Sequence, residues 1–482
     1  METPASVAVA LQMLQMVGIV LLVGVFAALF AKKLSIPDIV LYLVVGVVLG
    51  PFALSWVVLP TDSAVNQFIL TFGAAYILFD GGAVTRLAVL KKVWLTLVIL
   101  ATIGVVITAA ITGLAAQYLL GLPLLIAILL GTSIAPTDPA TLVPVFKQVT
   151  VREKVAQTVM SESAFNDATG AIMTFAVLGI VLGAGSFSAD AAGTALLDLG
   201  KEAGLGLLVG GILGYVAAFL IGHKAYAFLR EHMPVVTLIL VACAYVVAVM
   251  LHGSGFMAVF VAGIMLGNNE LFGFHVDAID EEKLNSYVET TGMIFRMFIF
   301  ILLGTQVDFA LIQQYWLPGL GVVLVFMLVA RPMTVFLCSL PDRKAQWTFK
   351  ERLFMSWTRE TGVIPAALAG LLVGMNVPGA KIIASVVFIA ILIGVNLLGK
   401  LIKFSIDRTF LGHVDQAAGA GLGLLKAAFL LSVCLWILNA MDFDLPEKWT
   451  KNSWLLPRVE SFAPQVTMWL SDYVPFFKNV FT

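Results

Sequence analysis

Apolar runs of about twenty residues, separated by short polar breaks, repeat along most of the chain, the pattern of helices that cross a bilayer. About thirteen spans are expected, near 6–30, 36–59, 66–84, 93–120, 123–146, 155–183, 203–222, 234–251, 254–267, 287–313, 316–340, 352–374 and 380–402. Residues 421–440 offer a further span, with a helix lying in the membrane interface as the competing reading. Two runs are interrupted in mid-course by proline, glycine and charge, at APTDP (135–139) and at TRETGVIP (358–365). Proline lacks an N–H and disfavours helix at the residue before it, so both runs are expected to open there.

Composition agrees with this pattern. The 482 residues are 60% hydrophobic and 12% charged, and the mean hydropathy is +1.02. A soluble domain cannot hide so much apolar surface, so the chain is expected to be an all-α polytopic membrane protein. The expected organisation is a membrane domain over 1–405 and a hydrophobic C-terminal extension over 406–482. A net charge of −1 excludes nucleic acid as a partner. Cys243, Cys338 and Cys434 lie far apart in apolar stretches and read as core residues, and no cofactor is expected. The N-terminal segment carries no basic n-region and is expected to stay as a span.

Basic residues orient the spans. Lys32 and Lys33, then Arg86, Lys91 and Lys92, then Lys147, Arg152 and Lys154 follow odd-numbered spans. So do Lys224 and Arg230, then Arg343, Lys344 and Lys350, then Lys400, Lys403 and Arg408. Odd loops are therefore expected in the cytoplasm, with the N-terminus outside a cell membrane of prokaryotic inner-membrane type. The acidic loop VDAIDEEK (276–283) departs from the alternation, but acidic residues weigh little in this rule.

The chemistry is expected where charge enters the apolar runs. An opened helix at membrane depth is tolerated only inside protein or along a cavity, and its half-helix ends suit ions. Asp138 sits in such an opening, although an ordinary loop with Asp138 as a helix cap is the plainer alternative. In SESAFNDATG (161–170), Ser163 and Asp167 are four residues apart and share a helical face, while Glu162 and Asn166 form an adjacent pair. A bare carboxylate at the bilayer centre costs roughly 2.5–3.5 kcal/mol on insertion scales, so an acid there is a functional candidate by default. Asp167 can hold a proton or a cation but not both, which is sufficient for exchange. A structural hydrogen-bonded aspartate is the bland alternative. Glu162 is expected to pair with the intramembrane Arg331, fixing geometry rather than carrying ions.

Arg359 and Glu360 stand in the second interruption, which mirrors the first in the other half of the chain, as in inverted-repeat transporters, with a cytoplasmic loop ending near Glu360 as the plainer alternative. Asp80 in YILFDGG closes the third span, as a funnel lining or a helix cap. Arg296 has no obvious partner, Glu289 being the nearest acid on its span. The five histidines form no metal cluster, and Gly206, Gly210 and Gly214 are spaced for close helix packing.

The stretches YILFDGG, APTDPATLVPVFKQ, SESAFNDA, GSGFMAVFVAGIMLGN, FILLGTQVDF, VARPMTV and SWTRETGVIPAAL, in this order, resemble the monovalent cation–proton antiporters of the sodium/proton exchanger type over residues 10–405. The resemblance implies about thirteen helices in inverted repeats with two crossed discontinuous helices, a homodimer, and an elevator-like movement of a core part against a dimerisation part. It implies Asp167 as the cation- and proton-binding residue, with Asn166 as its partner in the electroneutral, one-for-one branch. It implies that Thr137, Asp138 and Ser163 shape the ion site, and that Glu162 and Arg331 are a structural pair. The substrates implied are H+ and Na+ or Li+, with K+ as the alternative, in a lipid bilayer. One departure stands out: the place of the arginine that many relatives carry before the half-helix proline holds Thr361, with Arg359 two residues earlier. An intramembrane aspartyl protease is disfavoured because its Tyr-Asp and Gly-x-Gly-Asp contexts are missing, and a non-transporting sensor because it would have no use for costly buried charge. The segment DRTFLGHVDQAAGAGLGLLKAAFLL with KNSWLLP resembles the C-terminal part of the colicin V production protein family.

Overall fold

A computed structural model of the chain describes residues 5–34, 37–87, 93–137, 152–183, 189–223, 228–230, 232–274, 278–357 and 361–406, with a few isolated positions beyond. The chain divides into two compact units, Met1–Gly399 and Lys400–Thr482, and the candidate site lies within the first. The described secondary structure is helical. In order, the helices are α1 (Ala5–Leu34), α2 (Asp38–Leu49), α3 (Ala64–Ala83), α4 (Trp94–Ala101), α5 (Ile103–Leu120), α6 (Leu124–Ile134), α7 (Glu153–Gly183) and α8 (Ala189–Gly222). They continue as α9 (Met233–Met250), α10 (Gly255–Gly267), α11 (Ala278–Thr305), α12 (Phe309–Val325), α13 (Arg331–Ser339), α14 (Phe349–Trp357), α15 (Val363–Gly374) and α16 (Ala380–Ile406).

Seven of the described helical stretches are long and apolar enough to cross a bilayer. Others are too short: α2, α6, α10 and α15 have 12, 11, 13 and 12 residues. At 1.5 Å per residue such a helix covers under ~20 Å, less than the ~30 Å hydrocarbon core. The described helices therefore do not resolve into thirteen uniform spans. The fifth expected run stops at Ile134, four residues before Asp138, and the twelfth is split between α14 and α15. Pro365 falls in the first turn of α15, where a missing N–H costs nothing.

Two expectations are corrected. The acidic stretch expected as a loop is helical from Ala278 to Lys283, where α11 begins. Acidic residues suit the positive end of a helix dipole, which outweighs their low hydropathy there. The seventh span likewise starts earlier, at Ala189, because its polar beginning continues the helix.

Glycine sets the closest approaches. A Cβ on Gly263 or Gly267 of α10 would overlap the carbonyl oxygen of Phe79 or Ala83 on α3, and one on Gly210 of α8 that of Ala258. α3, α10 and α8 thus touch backbone to backbone, as small residues permit between membrane helices. At the end of the bundle that carries Arg86, Arg152 and Lys154, the turn after α13 is pinned by polar groups. Thr96 Oγ1 donates to Asp342 (2.7 Å) and accepts from Trp347 Nε1 (2.9 Å). Lys154 at the start of α7 donates to the carbonyl of Ala345 (2.7 Å) and lies 4.5 Å above the Trp347 ring. Thr348 and Glu351 form a reciprocal capping box that starts α14.

Candidate functional site

α7 carries the polar cluster through an otherwise apolar helix, and its neighbours explain why each side chain is tolerated. Glu162 and Arg331 are both almost fully buried, with side chains 3% and 2% exposed. They form a two-pronged ion pair: Arg331 Nη1 donates to Oε1, and Nη2 donates to Oε2 at 2.7 Å. The remaining guanidinium N–H, on Nε, donates to the Met355 carbonyl at 3.2 Å. That carbonyl lies in the last turn of α14, just before the second interruption, where helix carbonyls lack intrahelical donors. Arg331 thus ties α7, α13 and α14 together. A π turn, Phe326–Ala330, precedes it, and Pro332 follows it. The proline's missing N–H and its ring's clash with the preceding turn disfavour a regular α turn there.

The backbone beyond α6 is held by α7. Asn166 Oδ1 accepts the Thr137 amide N–H at 3.1 Å, and Asn166 Nδ2 donates to Thr137 Oγ1 at 2.8 Å. Ser163 Oγ donates to the Thr137 carbonyl. All three residues are buried. Pro136 packs on Gly170, where a Cβ would overlap the proline ring. The opened strand is therefore fully bonded at Thr137, as a buried irregular segment must be. Asp138 lies outside the described residues, as do Arg359 and Glu360; Thr361 is buried beside the start of α15.

Asp167 differs from its neighbours. It is half-buried and lines a cavity of about 190 Å³ together with Ser163, Asp80 and Arg296. The cavity wall also includes Gln157 and Ser161 on α7, Thr85 after α3, and Val363 at the start of α15. Asp80 and Arg296 face each other at 4.0 Å, so the partner of Arg296 comes from α3 rather than from its own span. The cavity opens among residues toward the end of the bundle that carries Arg86 and Arg152.

The structure thus brings together Thr137, Ser163, Asn166 and Asp167, pairs Glu162 with Arg331, and places Asp80 across the cavity from α7. Gln157 and Ser161, ten and six residues before Asp167 on α7, were not anticipated; they are four residues apart and share a helical face with each other. The Pro136–Gly170 seat and the Met355 carbonyl carry no signal in one sequence, since both are long-range contacts of ordinary residues. Among the described residues no group of three or more His, Cys, Asp or Glu side chains is arranged to hold a metal.

Comparison with known proteins agrees with this geometry. The sodium/hydrogen exchanger transmembrane family model matches residues 18–406, and the colicin V production protein model matches residues 366–464. The chain is 33% identical over 422 residues to Na(+)/H(+) antiporter 1 of Methanocaldococcus jannaschii, covering 85% of this chain and 94% of that one. It is 28% identical over 394 residues to the K(+)/H(+) antiporter NhaP of Alkalimonas amylolytica, covering 80% of this chain and 64% of that one. Among solved structures it resembles the sodium proton antiporter MjNhaP1 of M. jannaschii at pH 8, with a TM-score of 0.67 and 32% identity over 79% of this chain and 97% of that one. With a transmembrane family model covering most of its length and a solved antiporter sharing its fold, this chain is a multi-pass membrane protein that belongs to the sodium/hydrogen exchanger family.

Proposed function

We propose that the protein exchanges a monovalent cation for H+ across a cell membrane, with Asp167 as the group for which the two compete. One observation carries this reading: a half-buried carboxylate forms part of the wall of a cavity beside the bonded, opened backbone at Thr137. A carboxylate in that position is costly unless neutralised, and a proton or a cation each neutralises it once. Ser163, Thr137 and Asp138 are the oxygen donors that would complete the ion's shell, as a hard cation requires.

Asn166 supports one-for-one, electroneutral exchange. Its amide spends both a donor and an acceptor on Thr137, so it is a neutral strut and carries no proton. Glu162 and Arg331 already neutralise each other and serve as structure, while Asp80 and Arg296 face the route to Asp167. For Arg359 and Glu360, which lie outside the described residues, the proposed role is at the helix crossing or the funnel. The membrane domain over 1–405 works as a homodimer in the lipid bilayer, with the N-terminus outside and the Asp167 cavity open to the cytoplasm. Na+ and Li+ are the preferred substrates; the relatives named for K+ keep K+ as the second reading.

Purified protein in proteoliposomes with an imposed pH gradient tests this. Addition of Na+ or Li+ is expected to dissipate the gradient without a response to clamped voltage. Asp167→Asn, which keeps shape and removes the charge, is expected to abolish exchange while leaving thermal stability intact. Exchange surviving in that variant would refute the role of Asp167, and faster exchange with K+ than with Na+ would favour the second reading.

A further inference from the structure

A second cavity, of about 450 Å³, lies at the other end of the helices that line the Asp167 cavity. The correspondence holds on three elements. On α3 the Asp167 cavity takes Asp80 and Gly81 near the end of the helix, and the second cavity takes Thr61 just before its start. On α11 they take Arg296 and then Leu303, and on α15 Val363 and then Gly370. The two cavities therefore face opposite ends of one seam between α3, α11 and α15. The septum between them is apolar. Leu70 of α3 seats on Gly370, its methyl carbon 2.8 Å from where a Cβ would stand, and residues Val363–Gly374 of α15 are all buried.

The two mouths differ in charge. The Asp167 cavity holds two carboxylates, Asp80 and Asp167, against one guanidinium, Arg296. The second cavity holds one carboxylate, Asp308, and one ammonium, Lys381. Asp308 is committed to capping α12, accepting the amides of Ala310 and Leu311 at 3.1 and 3.2 Å. Lys381 is exposed and has no ion-pair partner among the described residues. Charge lining a cleft sets the local concentration of mobile ions, because low-dielectric walls focus the field.

We propose that the second cavity is the far-face vestibule for the transported cation, and that Lys381 makes the cation's apparent affinity lower there than at the Asp167 face. The inference rests on the exchange reading above and adds a sidedness to it: a fixed positive charge weakens cation loading from one face only. The mechanism is purely electrostatic, so it fades as salt screens the mouth.

Na+-driven H+ exchange in proteoliposomes of determined orientation, with KM for Na+ measured separately at each face, tests it. In the wild type the far-face KM is expected to exceed the other. Lys381→Met is expected to lower the far-face KM roughly three- to fivefold at low ionic strength, the scale of one unit charge acting across a hydrated cleft. The KM at the Asp167 face should stay constant, Lys381→Arg should behave as wild type, and the difference should shrink at high salt. The inference is overturned if Lys381→Met shifts both faces equally or neither. It is equally overturned if Glu202→Gln shifts the far face instead, since Glu202 lines a separate cavity of about 320 Å³ against Ile172 and Phe175 of α7. Absence of Na+-driven exchange in the wild type would instead defeat the exchange reading itself, so the two failures are distinguishable.

Discussion

α10 is touched on two sides, and the two contacts are built differently. Toward α3 it presents glycines, and the backbones meet with no side chain between them. Toward α7 it presents rings: Phe260 meets Phe165 edge-on with centroids 4.9 Å apart, and Phe256 stacks on Phe175 at 5.7 Å. The first contact has little slack, because it leaves no room even for a Cβ on Gly263 or Gly267. The second can change rotamer and re-form, since ring pairs have several acceptable geometries. α7 also carries Asp167, whereas α3 carries Asp80 across the cavity. The α7–α10 contact is thus the one that can re-form, while α3, α10 and α8 are packed as one block.

Substitutions can break this contrast. The largest effect is expected at the glycine seam. Gly267→Leu must push α3 from α10 and should abolish folded protein, read as loss of the monodisperse peak after detergent extraction; Gly267→Ala should cost about 1–3 kcal/mol by overpacking. Next is the ion pair inside the α7 block. Arg331→Met leaves Glu162 buried without a counter-charge and should cost about 3–5 kcal/mol in unfolding free energy. Combining it with Glu162→Gln should return much of that stability, and a double variant no more stable than Arg331→Met would deny the coupling.

Smaller effects sharpen the comparison. Phe165→Leu should cost only about 0.5–1.5 kcal/mol, the worth of an aromatic pair, while changing the maximal exchange rate more than KM. A loss as large as that of Gly267→Ala, with no change in rate, would erase the distinction between the two contacts. The smallest effect lies at the start of α14. Burial pushes the Glu351 carboxyl up, but the Thr348 amide and hydroxyl, with Lys154 and Arg152, outweigh it and hold the group below the usual carboxylate range. The folded state favours its charged form, so the associated stability is present above that range and disappears as pH falls through the lowered value. Glu351→Gln should therefore lower stability in the neutral region by less than about 1 kcal/mol, leave the acid end almost unchanged and so flatten the acid limb of a thermal-stability profile.

Much of the architecture was legible from one-dimensional signals. Apolar run length marks membrane helices because the bilayer core has one thickness and a helix one rise per residue. Proline beside aspartate marked the stop after Ile134, because a missing N–H acts locally. The pairing of Glu162 with Arg331 could be anticipated because two opposite charges in one apolar medium have few other partners. The partner of Arg296 could not be read from the sequence for the complementary reason. Glu289 is closer along the chain, but Asp80 arrives from another helix, a proximity with no trace in spacing.

By itself, then, the amino-acid order determined that this chain is a membrane bundle, where two of its helices are interrupted, and that α7 must carry costly charge to some purpose. Only the folded arrangement decided what each of those polar groups touches. Asn166 and Ser163 bond the Thr137 residue, Glu162 pairs with Arg331, and Asp167 lines the cavity together with Ser163. The reason is geometric: helical spacing sets which side chains share a face, but the character of that face is given by whatever packs against it, and those neighbours come from α3, α11 and α13, far away in sequence.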